Sequence, residues 1–200
     1  MRVRYAGMSP DSKRGRRADA SRNAALLLAA ARKVLAEGGN NVALDVIARR
    51  AGVGNATLYR HFPTRADLLV AVYADEVTAL CERGAQLLDS SDPTDALFAW
   101  LDEFVVHVAT KRPLAMAATE GTNEHRTTLF HEWHAAITST AERLIRRAQT
   151  GLRSDVTATD VLTLAAGAAL AAETAQARRL VAMLRAGIAI AAPTGTATDH

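Results

Sequence analysis

The sequence has a single cysteine, Cys81, and aromatic residues make up only 4% of its 200 positions. A lone thiol excludes an internal disulfide and a thiolate metal cage, and it fits a reducing compartment. No apolar run reaches the roughly 18 residues of a membrane-spanning helix. Gly167 and then Glu173 interrupt the best candidate. The opening MRVRYAGMSPDSKRGRR is basic without an apolar stretch, so it lacks the pattern of a secretory leader, and a cytoplasmic protein with no membrane partner is expected. Val/Ile/Thr/Tyr alternation between hairpin turns is missing too, and no sheet is expected.

What is plentiful is alanine, in runs such as LLLAAA and LAAGAALAAE, within a hydrophobic fraction of 49%. Alanine without aromatic or β-branched alternation favours helix. The expected class is therefore all-α, with about nine helices by apolar periodicity. Charge is unevenly spread: residues 1–65 hold 13 Lys/Arg against 4 Asp/Glu, a net +9, while residues 66–200 hold 11 against 17, a net −6. One end of the chain is suited to a polyanion and the other is not.

Residues 1–20 are polar and basic with no periodicity, and are expected to form a flexible arm whose Lys13, Arg14, Arg16 and Arg17 meet phosphates. From Ser21, the residues Ala24, Leu27, Leu28, Ala31, Val34 and Leu35 recur at helical spacing until Gly38 and Gly39. A short helix is predicted from Leu44 to Ala51, a second from Asn55 to about His61, with the turn Gly52-Val53-Gly54 between them. Val46, Ile47, Ala51, Val53, Leu58 and Phe62 are expected to face the interior, and the small Ala48 to allow close helix packing. Pro63 stops the second short helix, and Thr64 with Asp67 three residues on can cap a longer one.

Two short helices at a tight glycine turn can read duplex DNA: the first braces on the backbone and the second enters the major groove. That geometry leaves Asn55, Ala56, Thr57 and Tyr59 for base edges. Asn55 can pair with adenine, Thr57 can meet a base edge or a thymine methyl, and Ala56 keeps the approach open. Leu44 at the start of the first short helix, with Arg60, His61 and Arg65, is assigned to phosphates. Two other motifs carry no weight: Asn55-Ala56-Thr57 is a glycosylation sequon in a chain with no secretory pattern, and Gly52-Val53-Gly54 has neither the preceding strand nor the third glycine of a dinucleotide site.

The stretch LDVIARRAGVGNATLYRHFPTRADLL, residues 44–69, resembles the DNA-binding signature of TetR/AcrR-type transcriptional regulators, an "IA..AGV...TLY.HF..K..L" pattern in register. Three positions depart from it. Arg65 replaces the usual lysine and keeps the charge, Ala43 stands where Ser or Thr often caps, and Gly54 stands where serine is frequent. The resemblance implies a helix-turn-helix domain over 21–67, a regulatory and dimerisation domain over 68–190, and a homodimeric repressor released from operator DNA by a small molecule. It implies no cofactor and no catalysis, and the tail at 191–200 is expected to be disordered.

In the second half, five of the nine aromatics lie between residues 98 and 133. Trp100, Phe104 and His107 fall on adjacent turns of one predicted helix, and Phe130, His134 and Ile137 on another. With Met116 and Trp133 they form the expected pocket for a largely apolar effector. The alternative is a packed core containing two hydrogen-bonded histidines. His125, His131 and His134 with Glu124 and Glu132 invite a metal reading, but His131 and His134 diverge around a helix and no third ligand is evident, so no metal is expected. Breaks are expected near Pro113, Gly121, Gly151 and Glu173. Small and apolar residues at Leu162, Gly167, Leu170, Leu180 and Leu184 suggest a helix pair that dimerises as half of a four-helix bundle. Two rivals stand beside this reading: a constitutive DNA-binding regulator without a ligand, and a small helical metal-dependent enzyme.

Overall fold

A computed structural model describes residues 10–38, 42–119, 124–171 and 173–190; for residues 10–13, 16–17, 38, 111–119 and 124–127 it describes the backbone alone. Among the described residues there are eight α-helices, one short 3-10 turn and no strand. The helices are α1 (Pro10–Gly38), α2 (Leu44–Arg50), α3 (Asn55–His61), α4 (Arg65–Leu87), α5 (Pro93–Thr119), α6 (Glu124–Ala148), α7 (Ala158–Ala168) and α8 (Thr174–Ile188). Contacts divide the chain into two compact units, Met1–Val72 and Tyr73–His200, with the division inside α4.

In the first unit α1, α2 and α3 pack on one another. Leu27, Ala31 and Val34 of α1, Ile47 and Ala48 of α2, Leu58 of α3, and Phe62 are among its buried apolar residues. Val46 was expected among them but is 38% exposed, while Ala48, expected to allow close packing, is 1% exposed. A small side chain is what a close approach of short helices requires.

The basic segment at 10–20 is helical, not an irregular arm, since α1 begins at Pro10. Periodicity finds a helix only where one face is buried. The described side chains over 14–22 are exposed, so this part is an extension propagated from the packed stretch that follows, which needs no apolar stripe.

The second unit is built around Trp100, Leu101 and Val105 of α5, Leu144 of α6, Val161 of α7 and Val181 of α8, all nearly inaccessible. The Trp100 indole N–H donates to the carbonyl of Leu80, 3.0 Å away, so the buried ring leaves no unmet donor. At Gly84 on α4 an added Cβ would lie 2.2 Å from the Thr140 methyl group of α6. The absence of a side chain there sets how closely these helices cross. The expected break at Pro113 does not occur: α5 continues to Thr119, reducing the expected nine helices to eight. An interior proline costs about 3 kcal/mol, but the segment after it, Leu114-Ala-Met-Ala-Ala118, consists of the strongest helix formers. Thr157 and Asp160 form a reciprocal capping box that starts α7.

Candidate nucleic-acid interface and effector cleft

The turn between α2 and α3 follows from Gly52. It has φ +69°, the single positive φ among the described residues, in the left-handed region that glycine enters without strain. The Gly52 N–H bonds to the Arg49 carbonyl at 3.1 Å and the Val53 N–H to the Ala48 carbonyl at 3.0 Å, a Schellman motif that satisfies the end of α2. Ala43 and Gly54 cap α2 and α3 without any side-chain hydrogen bond. Phe62 then leaves the helix at φ −130°, as the following Pro63 demands. Thr64 and Asp67 form the expected reciprocal cap of α4: the Asp67 N–H donates to Thr64 Oγ1 at 3.1 Å, and the Thr64 N–H to the Asp67 carboxylate at 2.9 Å.

With Leu58 buried inward, α3 turns two rows outward, Asn55 with Tyr59 and Ala56 with Arg60, each pair one turn apart. Tyr59 is 52% exposed, high for an aromatic residue, while Thr57 and His61 are half-buried at the flanks. These outward residues are those expected to meet bases or phosphates. Leu44 is half-buried at the first turn of α2. Arg65 differs from an outward phosphate clamp: it is half-buried and its Nη1 donates to the Val42 carbonyl at 2.7 Å. That bond braces the entry to α2, so Arg65 positions the reader whatever else it touches. Nη2 of the same guanidinium is buried without a hydrogen-bond partner among the described residues. Arg50 is bound on both nitrogens by Glu37 of α1, at 2.8 and 2.9 Å. Arg14 is exposed on α1; the side chains of Lys13, Arg16 and Arg17 lie outside the described residues.

Within the second unit a cleft of about 890 Å³ opens between α4, α5, α6 and α7. Phe104 and His107 of α5 and Phe130 and His134 of α6 line it. Trp100 does not: it is fully buried and stacked on Phe104, ring centroids 5.6 Å apart, so it belongs to the core. Trp133 is not a lining residue either; it packs edge-on against Tyr73 at 4.9 Å and supports a wall from behind. Met116 lies outside the described side chains.

Sequence reasoning missed Tyr73 of α4, Thr138, Ser139 and Glu142 of α6, and Thr159 and Thr163 of α7, all lining the cleft. Their i, i+4 and i, i+3 spacing along α6 and α7 is visible in the sequence, but it takes the packing to show that those faces meet a cavity. Tyr73 lies 5.6 Å from the His107 ring, and burial pushes its phenol above the ordinary range, so it is a neutral hydrogen-bonding group near neutral pH. Among the described residues no group of three or more His, Cys, Asp or Glu could hold a metal ion.

Leu162 was expected at a dimer interface but is half-buried and lines the cleft, on the opposite side of α7 from Leu164. Gly167, Leu180 and Leu184 instead border a separate groove of about 270 Å³ between α7 and α8, with Leu164. Leu164, Leu170 and Met183 are 56%, 63% and 58% exposed, an apolar surface that a lone chain leaves in water.

A three-helix reader ahead of a larger helical unit with an internal cleft defines a helix-turn-helix DNA-binding regulator. The family follows from the comparisons. Residues 27–72 match the model described as "Bacterial regulatory proteins, tetR family" and residues 92–190 the one described as "Transcriptional regulator SbtR-like, C-terminal domain". A TetR transcription regulatory protein from Mycobacterium vanbaalenii is 33% identical, with a TM-score of 0.71 over 87% of this chain and 99% of its own. The TetR regulator SCO0520 from Streptomyces coelicolor is 35% identical, TM-score 0.70, over 84% and 99%. A regulator from Saccharomonospora viridis, solved in complex with choline, is 19% identical, TM-score 0.65, over 86% and 100%, and shows the same fold. No curated protein matches the sequence. The chain belongs to the TetR family and is a DNA-binding transcription regulator. No helix among the described residues is long and apolar enough to cross a membrane.

Proposed function

We propose that this chain is a cytoplasmic, homodimeric repressor that binds a pseudo-palindromic operator and leaves it when a small, largely apolar effector fills the cleft of the second unit. The observation that carries the reading is the outward pair of rows on α3, held there by the buried Leu58 and the Gly52 turn. Asn55, Ala56, Thr57 and Tyr59 contact base edges, and Leu44, Arg60, His61 and the basic residues of α1 contact phosphates. A single reader covers half a palindrome; two recognition helices must sit about 34 to 36 Å apart in successive grooves.

The exposed Leu164, Leu170, Leu180 and Met183 on and beside α7 and α8 support the dimer, and the mainly apolar cleft supports the effector. An effector acts by binding more tightly to the state that does not fit the operator. The protein works by binding and not by catalysis.

Leu170→Glu combined with Leu180→Glu places charge on this apolar face at two exposed positions. In sedimentation the variant should run as a monomer, and its operator affinity should fall at least tenfold. A variant that remained dimeric would remove α7 and α8 from the interface. An operator complex that no cleft ligand weakens, in a screen read by DNA release, would favour a constitutive regulator.

A further inference from the structure

Besides the three histidines His107, His131 and His134, the described residues lining the cleft include one carboxylate, Glu142, and no lysine or arginine. Three of the lining rings, Tyr73, Phe104 and Phe130, present aromatic surface to the same space. A carboxylate and aromatic faces share one electrostatic preference, because the ring quadrupole attracts positive charge and Glu142 repels an anion. Glu142 is exposed, so it stands where an ionic group keeps part of its water, beside the hydroxyls of Ser139 and Thr159; Phe104 and Ile137 are buried behind. From His131 to Glu142 the cleft wall runs eleven residues along α6, about 16 Å at 1.5 Å per residue.

We propose that the effector of this cleft is an amphipathic organic cation, an amine or quaternary ammonium whose charged group lies by Glu142 and whose apolar body runs over Phe104, Tyr73 and Phe130. The proposal rests on the reading of the cleft as an effector site, and it names the class of molecule that the site selects. A fatty acid of the same length meets the same apolar floor but places its carboxylate against Glu142. A neutral alcohol gains the floor alone.

Decyltrimethylammonium, decanoate and decanol share one chain and differ in head charge, so calorimetric titration of the full-length protein at pH 8, below micelle formation, isolates the sign. The cation should bind roughly tenfold tighter than decanoate, combining an ion pair at the mouth with ring contacts. Glu142→Gln should reduce that ratio at least fivefold while leaving decanol unchanged, and Phe130→Leu should weaken the cation more than decanol. Both positions are exposed, which spares the core. Decanoate binding as tightly as the cation, a ratio unmoved by Glu142→Gln, or no binding by any of the three would overturn the assignment. Operator release measured in parallel separates the two readings. An anion that binds and releases DNA leaves the effector site standing and removes its cation preference; a cation that binds without releasing DNA does the reverse.

Discussion

The two units place their functional residues differently with respect to their cores. On α3 the residues proposed to meet DNA and those that hold the fold lie on different faces, Tyr59 being 52% exposed and Leu58 1%. In the second unit the cleft is lined by residues that also close the core, Phe104 at 6% and Ile137 at 8% exposure. On the proposed reading, DNA recognition is separable from stability in the first unit, and ligand recognition is tied to stability in the second. The proposed reading surface can then change on a fixed scaffold, while a change of effector would repack part of the core.

Phe104→Ala tests the second half of this contrast with the largest effect. Truncating a buried phenylalanine costs about 3 to 5 kcal/mol, so denaturant unfolding should show a deep loss of stability along with lost cleft binding. Tyr59→Ala and Thr57→Ala test the first half: each should weaken a specific operator by about 1 to 3 kcal/mol in a salt-controlled titration. The unfolding free energy of Tyr59→Ala, at an exposed position, should stay within about 0.5 kcal/mol of wild type. If Tyr59→Ala unfolded the protein, the separation of faces on α3 would be wrong.

Gly52→Ala falls between the two. A left-handed alanine costs roughly 1 to 2 kcal/mol, and since the turn aims α3, stability and operator affinity should fall together. Arg50→Ala should do least. Its ion pair with Glu37 is about half exposed on both sides, and such pairs contribute about 0.2 to 1 kcal/mol, a loss that rising salt should shrink.

Legibility in the sequence follows the same division. The turn at Gly52, the buried Leu58, the outward Tyr59 and the Thr64–Asp67 cap depend on neighbours within a few residues, so spacing and turn chemistry reveal them. Arg65 could not be placed that way, because its partner, the Val42 carbonyl, lies 23 residues back. In the second unit, periodicity marks Trp100 and Phe104 as one apolar face but does not say which part of that face meets protein and which meets a cavity. Trp100 went to the core and Phe104 to the cleft wall. Leu162 and Leu164 were indistinguishable as apolar residues of one helix until packing turned one to the cleft and left the other in water. The helical stretch at 10–20 was illegible for a different reason, since a solvent-exposed extension needs no pattern at all.

Selection of bound sequences from random DNA with the full-length protein, repeated with Thr57→Ala and Tyr59→Ala, tests the central claim most directly. The account predicts a pseudo-palindromic site with half-sites about one helical turn apart, centre to centre, and relaxed preference at a few symmetric base pairs in each variant. Recovery of an asymmetric site, or of the same preferences from both variants as from wild type, would contradict it.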